Sequence, residues 1–370
     1  MRISSVDSFP LRGQGQQGAY GMPYGIVVRV GTESGVFGYG ESDSMPNVVK
    51  AVIEAPYLHE MMAGLKWVLL DQDPLDIEGL WNRMGRATLN YSRDGATLQA
   101  MAAIDIALWD LKGKLLGRPV HELLGGARRH SLRCYATHPL GSDLPTTARF
   151  ARKLRQQGFS AVKFGWQPLG PDAAGDEAIV RCLREAIGAE AELLIDGGLA
   201  WDVETALERV RRFEPYRLFW LEEPLEPYDI AGYARLAAEA ATPIAAGELA
   251  SSAAELGRLI EWRCVDILQV DISRVGLTQG MKVAQQAAAA GVPSVNHSYS
   301  YGINLAASLH FAAAIERCSL FEYQATPNEI RDALVPDAPR PREGILAVPE
   351  GPGLGVTVEE TALARFATAA

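Results

Sequence analysis

Seven polar side chains, Lys163, Asp196, Glu222, Glu248, Asp271, His297 and Glu322, lie at or within a residue of the ends of short apolar runs that have no need of them. The intervals between them are 33, 26, 26, 23, 26 and 25 residues. An interval of that size holds one strand, one helix and a loop, so the seven fall at the carboxyl ends of successive strands in a repeating β/α array. One acid after a strand is usually a helix N-cap or a solvated loop residue. Seven in phase point to a common face on which groups distant in sequence converge. Asp196, Glu222 and Glu248 are consecutive carboxylates, and they repel strongly if gathered at one point. A hard divalent cation with oxygen ligands resolves that conflict, and the lack of His or Cys among the three favours Mg²⁺ over Zn²⁺.

The elements that must position these groups are legible around them. Eight β-type runs are predicted: 131–136, 160–164, 192–196, 218–222, 243–248, 266–271, 293–297 and 319–323, enough to close a barrel. Stretches such as 146–156, 177–187 and 203–213 are long enough for the crossover helices between parallel strands. The first 120 or so residues do not share this rhythm. There, Ile26–Val30 and Gly35–Tyr39 read as a hairpin, and Leu98, Met101, Ile104, Ala107, Leu108, Leu111 and Leu115 recur at helical spacing until Gly117 and Pro119. The expected organisation is an α+β module over 1–125, a barrel over 126–325, and a tail over 326–370 that packs back on the first module. GPGLG at 351–355 reads as a turn, because no strand precedes it and no helix clearly follows.

Composition narrows the function classes. The chain has 370 residues, 48% hydrophobic and 22% charged, with mean hydropathy near zero, as in a soluble globular protein. No apolar run reaches transmembrane length and the N-terminus lacks a signal-peptide core, so the chain reads as cytoplasmic. A net charge of −10 without a basic stripe argues against nucleic acid as a partner. Cys134, Cys182, Cys264 and Cys318 form no CxxC pair and read as small core residues.

The motifs LLID (193–196), WLEEP (220–224), AAGE (245–248), QVD (269–271), NH (296–297) and FEY (321–323) resemble the enolase superfamily, in its mandelate racemase subgroup. The resemblance implies a modified (β/α)7β barrel under an N-terminal capping domain. It also implies Mg²⁺ held by Asp196, Glu222 and Glu248, with Glu223 as a neighbour rather than a ligand. His297 resembles the subgroup's general base, oriented by Asp271. A carboxylate on one imidazole nitrogen fixes the tautomer and leaves the other free. Glu322 resembles the group that donates a hydrogen bond to the substrate carboxylate as it becomes an enediolate, a role that needs a protonated carboxyl. The substrate implied is a small carboxylate, and relatives commonly form dimers or octamers.

Two positions depart from the subgroup. Its usual Lys-x-Lys reads Lys163-Phe164-Gly165 here, so the second lysine is lost, and Gly198 stands where other members carry a side chain. One base suffices for dehydration: His297 takes the α-proton and returns it to a departing β-hydroxyl. The favoured reading is a sugar-acid dehydratase acting on an aldonate or aldarate. A racemase, epimerase or cycloisomerase on the same scaffold, with Lys163 as second acid or base, is the alternative, and a non-catalytic barrel binding a metal or an acid is the rival from another class. The first strand offers no His-x-His pair for zinc hydrolysis. Candidate substrate contacts are Tyr20 and Tyr24 in the glycine-rich stretch 12–24, which reads equally as a lid or a surface loop, together with Trp166, His138 and the stretch 42–47.

Overall fold

The computed structural model describes residues 1–13, 24–166 and 169–368. Strands Ile3–Arg12, Tyr24–Thr32 and Phe37–Ser42 form an antiparallel sheet, the last two being the expected hairpin. Its inner face, with Ile3, Val6, Ile26, Val28 and Val30, packs on Met101, Ile104, Leu108 and Leu111 of the helix Ala96–Leu116. That helix is buried almost all round, because its opposite side meets the barrel helix Ile272–Ala289. It ends where Gly117 turns left-handed at φ 65°.

Eight parallel strands follow: Ser131–Pro139, Ala161–Gly165, Glu192–Asp196, Leu218–Glu222, Ile244–Ala246, Ile267–Val270, Ser294–Asn296 and Phe321–Gln324. Each pairs with the next from first to seventh, and the eighth pairs with the first. The seam between seventh and eighth is bridged by a side chain, Asn296 Oδ1 accepting from Glu322 N at 3.0 Å. A helix of nine or more residues follows each of the first seven strands, whereas the first helix after the eighth, Glu329–Leu334, has six. The fold is therefore a (β/α)7β barrel with an N-terminal α+β cap.

Side chains alternate across a strand, so one register of each strand faces the barrel axis. Tyr135, Ala161, Leu194, Trp220, Ala245, Ile267, Val295 and Leu320 form an apolar floor inside the barrel. Two residues further along each strand stand Thr137, Lys163, Asp196, Glu222, Gly247, Gln269, His297 and Glu322. The polar layer is thus the next inward layer of a packed core, one step nearer the carboxyl ends. In the tail, Ile345–Ala347 pairs antiparallel with the first barrel strand, and Leu354 N donates to Asp110 of the cap helix at 2.9 Å. Gly353 and Gly355 both have positive φ, so GPGLG is a turn. Among the described residues no helix is long and apolar enough to cross a membrane.

Candidate active site

Asp196 and Glu222 end adjacent strands in register with one another, which brings the two carboxylates to one side of the barrel mouth. Glu248 arrives differently. Its strand stops at Ala246, two residues short of the expected end, and Gly247 at φ 127° carries the chain round so that Glu248 is buried beside its neighbours. Glu223, next to Glu222, turns away and accepts from Gly247 N (2.8 Å) and from the Tyr233 hydroxyl (3.1 Å). A cavity of about 280 Å³ lined by Glu223, Tyr233, Gly247, Ser251 and Glu255 lies on that side, and none of the seven polar groups lines it.

His297 and Asp271 form a tight pair, Nδ1 to Oδ2 at 2.6 Å. Asp271 is itself held, its Oδ1 accepting from Ser273 N (2.7 Å) at the start of the helix that follows. The other imidazole nitrogen, Nε2, lies 3.5 Å from Glu248 Oε2 and 3.9 Å from Glu322 Oε2. Burial works against the imidazolium, but Glu248, Glu322 and Asp271 together carry its pKa well above that of a free histidine.

Lys163 is fully enclosed and pairs with both Glu222 and Glu322, the latter at 2.9 Å. Burial opposes its charge, yet these two carboxylates hold its pKa well above that of free lysine. Glu222 also accepts from Trp220 Nε1 (3.0 Å) in the floor below. Glu322 accepts from Thr137 Oγ1 (2.6 Å) and Ser298 N (2.9 Å). The expectation of a protonated Glu322 is corrected by this environment. Burial pushes its pKa up, but Lys163 and His297 pull it down to about 2. It stands as a carboxylate acceptor, because Lys163 and His297 lie between it and the other acids and outweigh their negative charge.

The three oxygen-bearing groups fit a hard divalent cation. Burial, then Glu222, raise Asp196 to about 7, and burial takes Glu248 well above its usual range. Glu248 Oε2 is buried without a hydrogen-bond partner. No group of three or more His, Cys, Asp or Glu side chains among the described residues is already spaced for a metal, and Glu222 is paired with Lys163. Charge crowding and an all-oxygen donor set are what Mg²⁺ relieves and prefers.

The departures seen in the sequence have structural reasons. A Cβ on Gly165 would lie 2.1 Å from the Asp196 carbonyl oxygen, so this backbone has no space for a lysine there. Trp166 is half-exposed at φ 66°, packed over Gly198 at the rim next to Asp196. The structure does not bring His138 to the polar layer, where it was expected to face the substrate. It follows the inward Thr137 on its strand, so it faces out, its ring 4.3 Å from Phe150 and 5.8 Å from Phe164 between barrel and helix. Tyr24 opens the second cap strand, 42% exposed, and its ring contact is the Arg12 guanidinium (5.6 Å) rather than any barrel acid. Tyr20 lies outside the described residues.

Sequence reasoning missed the cap's links to the site. Asp43 accepts from Arg274 Nη2 (3.1 Å) and pairs with Ser273 Oγ (3.3 Å), while Arg274 Nε lies 3.9 Å from Asp271. Glu41 accepts from Tyr301 N (2.5 Å) and Asn304 N (3.0 Å), capping the helix after the seventh strand. Asp105 accepts from Thr278 N and Oγ1, at 2.9 and 2.5 Å, where the helix Ile272–Ala289 is broken at Gly276. The available signal was an acid inside an otherwise apolar pattern, as at Glu41, Asp105 and Asp110.

Comparison with known proteins fits this arrangement. Residues 146–362 match the family model described as Enolase C-terminal domain-like, and 19–125 match the Mandelate racemase / muconate lactonizing enzyme, N-terminal domain. Arabinonate dehydratase of Saccharolobus solfataricus is 32% identical over 343 residues, covering 90% of this chain and 88% of that protein. The solved 3,6-anhydro-D-galactonate cycloisomerase of Zobellia galactanivorans superimposes with TM-score 0.90 at 30% identity, over 100% of both chains. A racemase of Streptomyces coelicolor solved with bound magnesium gives TM-score 0.88 at 25% identity, over 99% of this chain and 100% of that one. With the barrel, the cap and both family domains in place, this chain is an enzyme of the enolase superfamily, in its mandelate racemase subgroup.

Proposed function

We propose that this enzyme dehydrates a hydroxylated sugar acid, an aldonate or aldarate, to a 2-keto-3-deoxy acid. The observation that carries this reading is the one-sidedness of the site. Gly165 has no space for a second base, and Lys163 is locked as a cation between Glu222 and Glu322. Among the described residues His297 is then the one oriented proton carrier at the site, with Nε2 turned toward the acids. In the neutral state it takes the proton alpha to the substrate carboxylate, and the C–H electrons move into an enediolate. The imidazolium, kept in line by Asp271, returns the proton to the β-hydroxyl as the C–O bond breaks and water leaves. The enol product tautomerises to the keto acid. Lys163 supplies fixed positive charge for the substrate carboxylate, and Glu322 holds Lys163 in place.

Asp196, Glu222 and Glu248 would hold Mg²⁺, which supplies positive charge for the enediolate oxygens and offsets the pull of Glu248 on the His297 proton. The second reading is cycloisomerisation, in which the same base expels a ring alkoxide instead of water; the similarity to a cycloisomerase over the whole chain favours it next. Racemisation needs a second proton carrier, which Gly165 does not provide. From the sequence we infer a cytoplasmic enzyme, and from the family resemblance one whose copies associate as a dimer or octamer; sedimentation velocity checks the association.

The test is a panel of sugar acids with Mg²⁺, read out as 2-keto acid. His297→Asn is expected to lower turnover by about 10² to 10⁴ while Mg²⁺ still binds. A variant that keeps most of its turnover sinks the assignment of the base.

A further inference from the structure

The eighth strand carries more than Glu322. It pairs with the first strand as far as Gln324 with Thr137, and Ala325 N continues the ladder to Thr137 O at 3.1 Å. Leu320 lies in the apolar floor and Glu322 in the polar layer. Gln324, two residues on, therefore points into the barrel about 7 Å nearer its mouth. It is only 3% exposed, yet neither its Oε1 nor its Nε2 has a hydrogen-bond partner.

A buried amide left unpaired is destabilising, because it has given up its bonds to water without replacing them. The following residues repeat the pattern. Thr326 Oγ1 and Asn328 Nδ2 are also buried without partners. Their backbone is held firmly, with Arg331 donating to the carbonyls of Gln324 (3.0 Å) and Thr326 (3.1 Å). A small cavity borders Gln324, Ser298, Ser300 and Arg331. Gln269 is unpaired too, but it stands a layer deeper, level with Lys163 and Glu222.

We propose that Gln324, with Thr326 beside it, is a specificity-determining residue that reads a hydroxyl of a polyhydroxy acid beyond its two reacting carbons. A hydroxyl both donates and accepts, and a primary amide answers both demands at once. A site built to bond a hydroxyl rejects an analogue lacking it, because its own polar atoms are then left unpaired. This deepens the sugar-acid reading and rests on it.

The test compares wild type with Gln324→Met, which keeps length and loses hydrogen bonding, on a six-carbon aldonate and on glycerate, both with Mg²⁺. Glycerate keeps the α-proton and the β-hydroxyl and has no carbon beyond them. The expected result is a ten- to hundredfold fall in kcat/KM for the aldonate, mostly in KM, with α-proton exchange of glycerate in D₂O unchanged. Equal losses on both acids, or no loss on either, overturn the proposal. If wild type forms no keto acid from any member of the panel, the dehydration reading fails. The subsite is then tested by titrating aldonate against tryptophan fluorescence, where a Gln324→Met protein binding as tightly as wild type overturns it. Thr326→Val, read on the same pair of acids, serves if Gln324→Met does not fold.

Discussion

Lys163 shows how little a residue's type says about its role until its partners are known. Between Glu222 and Glu322 it is a fixed charge, and the same contacts that keep it protonated keep Glu322 ionised. Glu222 owes its orientation to the floor as well, through the Trp220 indole at 3.0 Å. Groups that hold a ligand side chain in place commonly carry ten- to hundredfold of metal affinity. Trp220→Phe is accordingly expected to weaken Mg²⁺ binding by about tenfold in calorimetry, with the fold intact by circular dichroism. Unchanged affinity would mean that the indole only fills the barrel. At this scale the sequence identified the seven groups through their period, but Trp220 and Thr137 were hidden, since nothing in an apolar strand marks which side chain reaches up to an acid.

At the scale of elements, the cap and the barrel meet through hydrogen-bonded carboxylates rather than apolar contact alone. Asp43 leaves the end of the third cap strand to meet Arg274 and Ser273, one residue apart from each other and next to the Asp271 that orients His297. Displacing a catalytic group by about 1 Å costs on the order of a hundredfold in rate. Asp43→Asn is therefore expected to lower kcat by about ten- to hundredfold with KM and Mg²⁺ affinity close to wild type. Steady-state kinetics with calorimetry decides it: a matching loss of metal affinity would point to collapse of the site instead of a misaligned base. The hairpin and the long cap helix were readable from periodicity. Glu248's short strand was not, because the turn at Gly247 depends on how close the neighbouring strand lies, with Gln269 O only 2.6 Å from where a Cβ would stand.

For the molecule as a whole, the tail closes the structure over a buried histidine pair. His310 Nδ1 accepts from His121 N (3.2 Å), and Nε2 donates to Leu354 O (3.1 Å), an arrangement that suits neutral imidazole. Burial lowers the His310 pKa to about 4. The folded state thus binds its proton less readily than the unfolded chain. The stability from the neutral pair is full above the unfolded value near 6.5, falls as pH drops below it, and levels off below about 4, a loss of about 3 kcal/mol. Urea unfolding at pH 7 and pH 4.5 should show a steeper loss for wild type than for His310→Gln, which cannot take up a proton. Equal pH slopes in the two proteins would refute this coupling.

What the sequence determined by itself was order and spacing. A polar group every 23 to 33 residues, each closing an apolar strand, allows few folds other than a closed parallel barrel, and the motifs named its family. Tertiary structure alone decided which groups are charged, which face inward and which are paired. His138 and Gln324 lie near barrel-strand ends like the seven, yet one faces a helix and the other the mouth, since pleat parity and the neighbouring strand set direction. Protonation is likewise a property of the assembled set of neighbours, which no linear pattern records.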